Sequence, residues 1–144
     1  GYQVRAENAN KFALDGTAAV LSGKPDVVAF KPPVVLVSDG KTGMQRETDF
    51  WQVLIYMTCL KLAKPIEYAD VQVAGELVYS GGIIEIPQTD LTEDRRRAIF
   101  TKIRELARDQ PFPTVPSPDE CTFCDIGECT DRMEKQEPTP TAEF

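Results

Sequence analysis

The 144-residue chain has the length of one ordinary domain, and 42% hydrophobic with 27% charged residues favours a globular fold with its own core. No apolar run approaches the roughly 18 residues of a membrane span, and nothing at the N-terminus has the pattern of a secretory signal, so we expect a cytoplasmic protein without a membrane partner. A net charge of −7 argues against binding nucleic acid through bulk electrostatics, which needs clustered Lys and Arg.

The N-terminal half predicts strands followed by a helix. The apolar segments "FAL" and "AAVL" flank Asp15-Gly16, a pair that favours a tight turn between antiparallel strands. The segments "DVVAF" (26–30) and "VVLVSD" (34–39) are short, rich in β-branched residues and bounded by Gly or Pro, which is typical of central strands covered on both faces. Residues 49–63 contain no Gly or Pro and predict a buried helix.

The C-terminal half predicts a hairpin, an amphipathic helix and a polar tail. Strands are expected at 71–79 and 83–86, and a second helix, with Asp90 and Glu93 at capping-box spacing, within 90–110. The order of elements indicates an α/β fold with a mixed central sheet flanked by helices. Changes in composition suggest three regions: a core at 1–110, a proline- and cysteine-rich segment at 111–133, and a disordered tail at 134–144.

Two aspartates and a lysine are expected to meet at one end of the central strands. If the two strands form a hairpin, Asp26 lies opposite Asp39 to within one residue, and Lys41 projects on the same side as Asp39 if the strand continues through Gly40. Paired carboxylates bind a divalent cation or share a proton, and hard oxygen ligands favour Mg²⁺ or Mn²⁺ with a phosphate-bearing substrate. An isolated D-x-K is nevertheless more often a turn followed by a solvated lysine.

Three motifs together narrow these alternatives. "GKPD" (23–26), "VVLVSDGKTG" (34–43) and "QVLIY" (52–56) resemble, in order and spacing, the PD-(D/E)XK nuclease superfamily. They are most similar to its RecB-like exonuclease branch, which includes CRISPR-associated RecB-like and AddB-type repair nucleases. The resemblance covers about residues 2–130 and implies a restriction-endonuclease-like core. It also implies a metal site and the groups that act beside it: Asp26, Asp39 and the Gly40 carbonyl as metal ligands, Lys41 as the catalytic lysine, and Gln52 and Tyr56 completing the site.

The resemblance implies a Mg²⁺- or Mn²⁺-dependent deoxyribonuclease, an exonuclease on single-stranded DNA or DNA ends, that hydrolyses phosphodiesters with metal-activated water. DNA repair, CRISPR adaptation and phage replication are all compatible settings, and the acidic composition suits a protein partner that brings the DNA. Two alternatives remain open. One is a catalytically weak or inactive module that binds nucleic acid or a partner and keeps a structural metal; the other is a metal-dependent phosphatase or related hydrolase.

Cys121, Cys124 and Cys129 form a C-x2-C-x4-C pattern, and this close spacing favours metal ligation over disulfides. In the resembling nucleases such a triplet and one upstream cysteine hold a [4Fe-4S] cluster. The sequence printed here has no upstream cysteine before the first strand, and Cys59 is expected to be a buried apolar residue within a helix. A cluster, a zinc ion, which normally takes four protein ligands, and an empty triplet therefore all remain open.

Overall fold

The computed structural model describes residues 1–111 and 114–134. The chain divides into a first unit, Gly1–Arg108, and a second unit that begins at Asp109. The first unit contains every strand and both long helices among the described residues. In the second, the Ser117 hydroxyl accepts a hydrogen bond from the Glu120 N–H and caps a short helix. Of the predicted disordered tail, all but residue 134 lies outside the described residues, and the predicted division into regions remains a prediction.

The described elements are seven strands, three α-helices and two 3-10 turns. The strands are β1 (Gln3–Ala6), β2 (Phe12–Asp15), β3 (Val20–Gly23), β4 (Val27–Lys31), β5 (Val34–Lys41), β6 (Gln72–Tyr79) and β7 (Gly82–Ile86). The helices are α1 (Glu47–Ala63), α2 (Glu93–Leu106) and α3 (Pro118–Thr122), and the 3-10 turns are Glu7–Asn10 and Gln88–Asp90.

Five strands form a mixed sheet in the order β1-β4-β5-β6-β7, while β2 and β3 form a separate hairpin. The pairing of β5 with β6 is parallel and the other three pairings are antiparallel. A parallel pair requires a crossover connection, and α1 lies within that connection. The predicted mixed α/β architecture is confirmed, and it agrees with a restriction-endonuclease-like core.

The core forms between α1 and the sheet. Strand β5 alternates between buried and partly buried side chains, and Val35 and Val37 have no solvent exposure. Val53 and Leu54 of α1 are equally buried. Because α1 joins β5 to β6, packing of this helix on the sheet sets the position of its polar residues relative to the end of β5.

One local prediction is wrong, and one strand was missed. Helix α2 begins at Glu93, and its N-cap is Thr92, whose hydroxyl accepts a hydrogen bond from the Arg95 N–H. Asp90 instead ends a 3-10 turn and pairs with Arg95, so the predicted capping box is wrong. The edge strand β1 was not predicted, because "QVRA" is short and has exposed side chains. Across the part of the chain that the structure describes, no helix is long and apolar enough to cross a membrane.

Candidate active site

The end of the β4–β5 hairpin brings together the two predicted carboxylates. The last ladder pair at this end is Val27 with Ser38, so continuation of the register places Asp26 opposite Asp39. The Gly40 N–H donates a hydrogen bond of 3.0 Å to Asp26 Oδ2. One oxygen of Asp26 is thereby held against β5, and its exposed side chain faces the same end of the sheet as Asp39.

Asp39 is a buried carboxylate beside an ammonium. The residue is 2% exposed, and its Oδ2 atom lies 2.7 Å from Lys41 Nζ. This contact is an ion pair, and Oδ2 has no other polar partner among the described residues. A buried carboxylate oxygen left in this state has the capacity to bind a further cationic ligand.

Lys41 is held as an ammonium by three acids. Burial is the largest single influence and lowers the pKa of Lys41, but the hydrogen-bonding and Coulombic effects of Asp39, followed by attraction to Asp49 and Asp26, outweigh it and raise the pKa above its ordinary value. A charged amine at this place can stabilise negative charge on a phosphate oxygen.

Gln52 and Tyr56 of α1 form a chain of hydrogen bonds that begins at the Lys41 ammonium. Lys41 Nζ donates to Gln52 Oε1 at 2.6 Å, and Gln52 Nε2 donates to the Tyr56 hydroxyl at 3.0 Å. An ammonium has only donors, which fixes the carbonyl side of the amide toward Lys41. The Tyr56 hydroxyl in turn donates to the Lys24 carbonyl at 3.5 Å. The structure therefore brings together all five predicted side chains of the site: Asp26, Asp39, Lys41, Gln52 and Tyr56.

Asp49 and Tyr79 join the site without having been predicted. Asp49 Oδ1 lies 3.9 Å from Lys41 Nζ, and Asp49 Oδ2 accepts a hydrogen bond of 2.7 Å from the Tyr79 hydroxyl. Burial, then the hydrogen bond to Asp49, raises the pKa of Tyr79. In the sequence, Asp49 is explained by the favourable placement of an acid in the first turn of α1. Tyr79 has the pattern of a core residue, and only its position at the end of β6, beside Lys41 on β5, indicates otherwise.

Asn10 supports the turn that carries Asp26. Its Nδ2 donates to the carbonyl oxygens of Arg5, Pro25 and Asp26 at 2.9, 3.2 and 3.3 Å. The residue is 2% exposed, and its Oδ1 atom is buried without a hydrogen-bond partner. A buried amide that bridges three carbonyls fixes the backbone before β4. In the sequence, "RAENAN" gives no signal for this role, because Asn is equally common in ordinary turns.

Comparison with known proteins identifies the family to which these residues belong. The sequence matches the PD-(D/E)XK nuclease superfamily over residues 2–129. The chain belongs to the PD-(D/E)XK nuclease superfamily. Its members are typically metal-dependent nucleases, so the family implies a nucleic-acid substrate and phosphodiester hydrolysis.

Solved structures and curated proteins provide two further comparisons. The crystal structure of SSO0001 is similar to this PD-(D/E)XK chain with a TM-score of 0.43 and 11% sequence identity. The similarity covers 90% of this chain and 61% of that chain. A search of curated proteins finds no match to the sequence.

The donor set fits the Mg²⁺ or Mn²⁺ that PD-(D/E)XK nucleases usually use. The Oδ2 atom of Asp39, whose partner is the Lys41 ammonium, and the exposed carboxylate of Asp26 are hard oxygen donors, and Mg²⁺ is commonly held by one or two carboxylates plus water and substrate phosphate. Within residues 1–111 and 114–134, no group of three or more His, Cys, Asp or Glu side chains converges on one point. Asp26 and Asp39 would hold such an ion, which would supply Lewis-acid activation of water and neutralise charge on the phosphate.

The structure gives less support to the metal site predicted at the cysteines than to the one predicted at Asp26 and Asp39. Cys121, Cys124 and Cys129 are free thiols, and within the described residues they do not form a group of three metal-binding side chains. Cys59 is fully buried in α1, and burial raises the pKa of its thiol to about 11, in agreement with the apolar role predicted for it.

Proposed function

We propose that this PD-(D/E)XK chain is a Mg²⁺- or Mn²⁺-dependent deoxyribonuclease that acts as an exonuclease on single-stranded DNA or DNA ends. The observation that carries the proposal is the convergence of Asp26, Asp39 and Lys41 at one end of the β4–β5 hairpin, with the lysine 2.7 Å from Asp39. A solvated turn acid and a solvated lysine, the alternative for an isolated D-x-K, would not leave Asp39 2% exposed.

Each side chain has a role that follows from its environment. Asp26 and Asp39 would hold the metal, and the Gly40 carbonyl, which follows Asp39 on β5, is a further candidate ligand. Lys41, kept as an ammonium by its acidic neighbours, would stabilise charge on the phosphate oxygens as the phosphodiester is cleaved. Gln52 and Tyr56 orient this ammonium, because Gln52 accepts a hydrogen bond from it and is itself hydrogen-bonded to Tyr56.

A cleavage assay with three variants tests the metal-dependent activity. We expect the wild type to degrade labelled single-stranded DNA with Mn²⁺ and not with EDTA. Asp39→Asn and Lys41→Met should each reduce the rate by at least about 100-fold, because electrostatic groups of this kind supply about 3 kcal/mol or more. The control is Lys31→Met, which removes the same charge at the opposite end of β4 and should retain wild-type activity. Equal residual cleavage by all four proteins would overturn the proposal and indicate a contaminating nuclease.

The choice of an exonuclease is tested by the topology of the substrate. A covalently closed single-stranded circle should survive under conditions that degrade the linear strand of the same sequence, because an exonuclease needs an end. Shortening of a strand labelled at one end should release mononucleotides or short products from the start of the reaction. Cleavage of the circle at the rate of the linear strand would contradict the exonuclease proposal and would leave a metal-dependent endonuclease.

A structural metal on Cys121, Cys124 and Cys129 is a second proposal, and its support is their spacing and their free thiols. Protein purified without oxygen would be brown and contain iron if a [4Fe-4S] cluster forms, and colourless with stoichiometric zinc if the ion is Zn²⁺. Substitution of Cys124 by Ser should remove the metal. Metal analysis that gives less than one atom of iron or zinc per ten chains would contradict both forms of the proposal.

A further inference from the structure

The β2–β3 hairpin has two chemically different faces. Its antiparallel register pairs Phe12 with Gly23 and Ala13 with Ser22. One face, with Phe12, packs on the core. The opposite face is exposed and carries Ala13 and Ser22. Continuing the register by one residue places Lys11 directly opposite Lys24 on this exposed face.

Two lysines directly opposite each other are unfavourable in a hairpin, because like charges across a ladder repel. Neither Lys11 nor Lys24 has an acidic side chain within 4 Å among the residues that the structure describes. The chain as a whole carries a net charge of −7, so two neighbouring lysines without an acidic partner are unusual in this protein. An anion placed between the two ammonium groups would relieve their repulsion.

This end of the hairpin borders a space for such an anion. A cavity of about 570 Å³ is lined by Lys11, Phe12, Ala13, Ser22, Gly23 and Lys24, which lies within the size range of sites for small ligands. Among the lining groups, the Ser22 hydroxyl is a suitable donor to a phosphate oxygen.

That end of the hairpin adjoins the candidate active site. Lys24 precedes Asp26 by two residues, and its carbonyl accepts the hydrogen bond from the Tyr56 hydroxyl. Gly23 also lies against Tyr56, since a Cβ built on Gly23 would come 3.1 Å from the Tyr56 ring. The end of the hairpin that carries Lys11 and Lys24 is therefore the end from which the chain continues to Asp26.

We infer that the outer face of the β2–β3 hairpin binds the phosphodiester backbone of a single-stranded nucleic acid, with Lys11 and Lys24 neutralising its phosphates on the approach to Asp26 and Asp39. This inference rests on the proposed nuclease function and adds the path of the substrate. It also explains how an acidic protein holds a polyanion, because the contact is confined to a few cations beside the site.

Binding without cleavage tests the inference. Fluorescence anisotropy of a labelled single-stranded oligonucleotide, measured in EDTA at several salt concentrations, gives both the affinity and its salt dependence. In the double variant Lys11→Gln/Lys24→Gln, we expect the affinity to fall on the order of tenfold and the slope of log K against log salt to decrease by about 0.7 for each lysine. The control Lys31→Gln/Lys102→Gln removes the same charge from the far end of β4 and from α2 and should keep the wild-type slope.

Kinetics provide the second measurement. With Mn²⁺, the Lys11→Gln/Lys24→Gln variant should show a raised KM for DNA and a nearly unchanged kcat, because the lysines bind the strand away from the reacting phosphate. Wild-type affinity and slope in this variant would overturn the inference, even if Asp39→Asn abolishes cleavage and the proposed function stands. Conversely, lysine-dependent binding without any Mn²⁺-dependent cleavage would support the binding face and overturn the nuclease proposal.

Discussion

Tyr79 and Asp49 show how a single hydrogen bond can set the position of Lys41, the proposed catalytic lysine. Asp49 contacts Lys41 with one oxygen and accepts the Tyr79 hydroxyl with the other. Because the raised pKa of Tyr79 keeps its phenol protonated, this hydroxyl remains a donor throughout the neutral range. The carboxylate of Asp49 is thus anchored by β6 while it attracts an ammonium on β5.

Tyr79→Phe should therefore lower kcat without changing the KM for DNA. Loss of the anchor lets Asp49 turn away, and Lys41 then samples positions that do not face the reacting phosphate. We expect kcat to fall about three- to tenfold, the effect of one ordinary hydrogen bond. The measurement is a full kinetic analysis with Mn²⁺ and single-stranded DNA.

The matched control removes a hydroxyl from a buried tyrosine elsewhere. Tyr68 is 2% exposed and packs against Phe30, at the end of β4 opposite to Asp26. Tyr68→Phe should keep the wild-type kcat. Equal values of kcat for the two variants, or a change confined to KM in Tyr79→Phe, would show that the Asp49 anchor has no part in catalysis.

At the scale of elements, the position of the site depends on how closely α1 packs on β6. Gly75 lies in the middle of β6, between Val37 of β5 and Ile86 of β7. A Cβ at this position would come 2.3 Å from Val53 Cγ1 and 3.0 Å from Met57 Sδ. Gln52 precedes Val53 on α1, so any displacement of the helix from the sheet also moves the group that accepts a hydrogen bond from Lys41.

We expect Gly75→Ala to lower the free energy of unfolding by about 1–3 kcal/mol, the usual cost of overpacking a core. The measurement is the urea midpoint at unchanged m value. Gly81→Ala is the control, because a Cβ there meets nothing within 4 Å, and it should change stability by less than about 0.5 kcal/mol. Adding Val53→Ala to Gly75→Ala should recover part of the loss. A stability of Gly75→Ala equal to that of the wild type would refute the close packing.

Elements with a strong local pattern could be predicted from the sequence, whereas contacts between elements could not. Residues 49–63 were predicted as a helix and form most of α1, and the apolar runs of β4 and β5 located Asp26 and Asp39 at one end of a hairpin. Thr92 was missed as the cap of α2 because Asp90 also satisfies the capping spacing. Tyr79 and Asn10 were missed because the partner of Tyr79 is 30 residues away and two of the three partners of Asn10 are 15 and 16 residues away. A single sequence does not indicate such pairs.

At the scale of the whole molecule, charged residues are unevenly distributed. The chain carries a net charge of −7, yet Lys11, Lys24 and Lys41 lie on the hairpin face and at the end of β5, beside Asp26. If the proposed metal balances the acids at the site, these lysines are the cations that would face the phosphates of the proposed substrate. Confining the contact to this part of the surface would favour binding of a strand in a single orientation.

The solvent exposure of the four cysteines differs between the two units. Cys59, in the first unit, is fully buried with a thiol pKa of about 11, whereas Cys124 and Cys129, in the second unit, are exposed and Cys121 is half-buried. Since the thiolate is the reactive form, Cys59 in the folded protein has neither the ionisation nor the access needed to react at pH 8. A thiol titration therefore reports both the burial of Cys59 in α1 and the state of the three cysteines of the second unit.

We expect an aromatic disulfide reagent at pH 8 to titrate three thiols rapidly in reduced, chelator-treated native protein and the fourth only after unfolding in urea. Cys59→Ala should keep three rapid thiols and lose the slow one, which assigns the slow thiol to α1. Protein purified without oxygen and without chelator should show fewer rapid thiols if the triplet holds a metal, because ligated thiolates are withheld from the reagent. Four rapid thiols in the native wild type would contradict the burial of Cys59, and with it the packing of α1 on which the position of Gln52 depends.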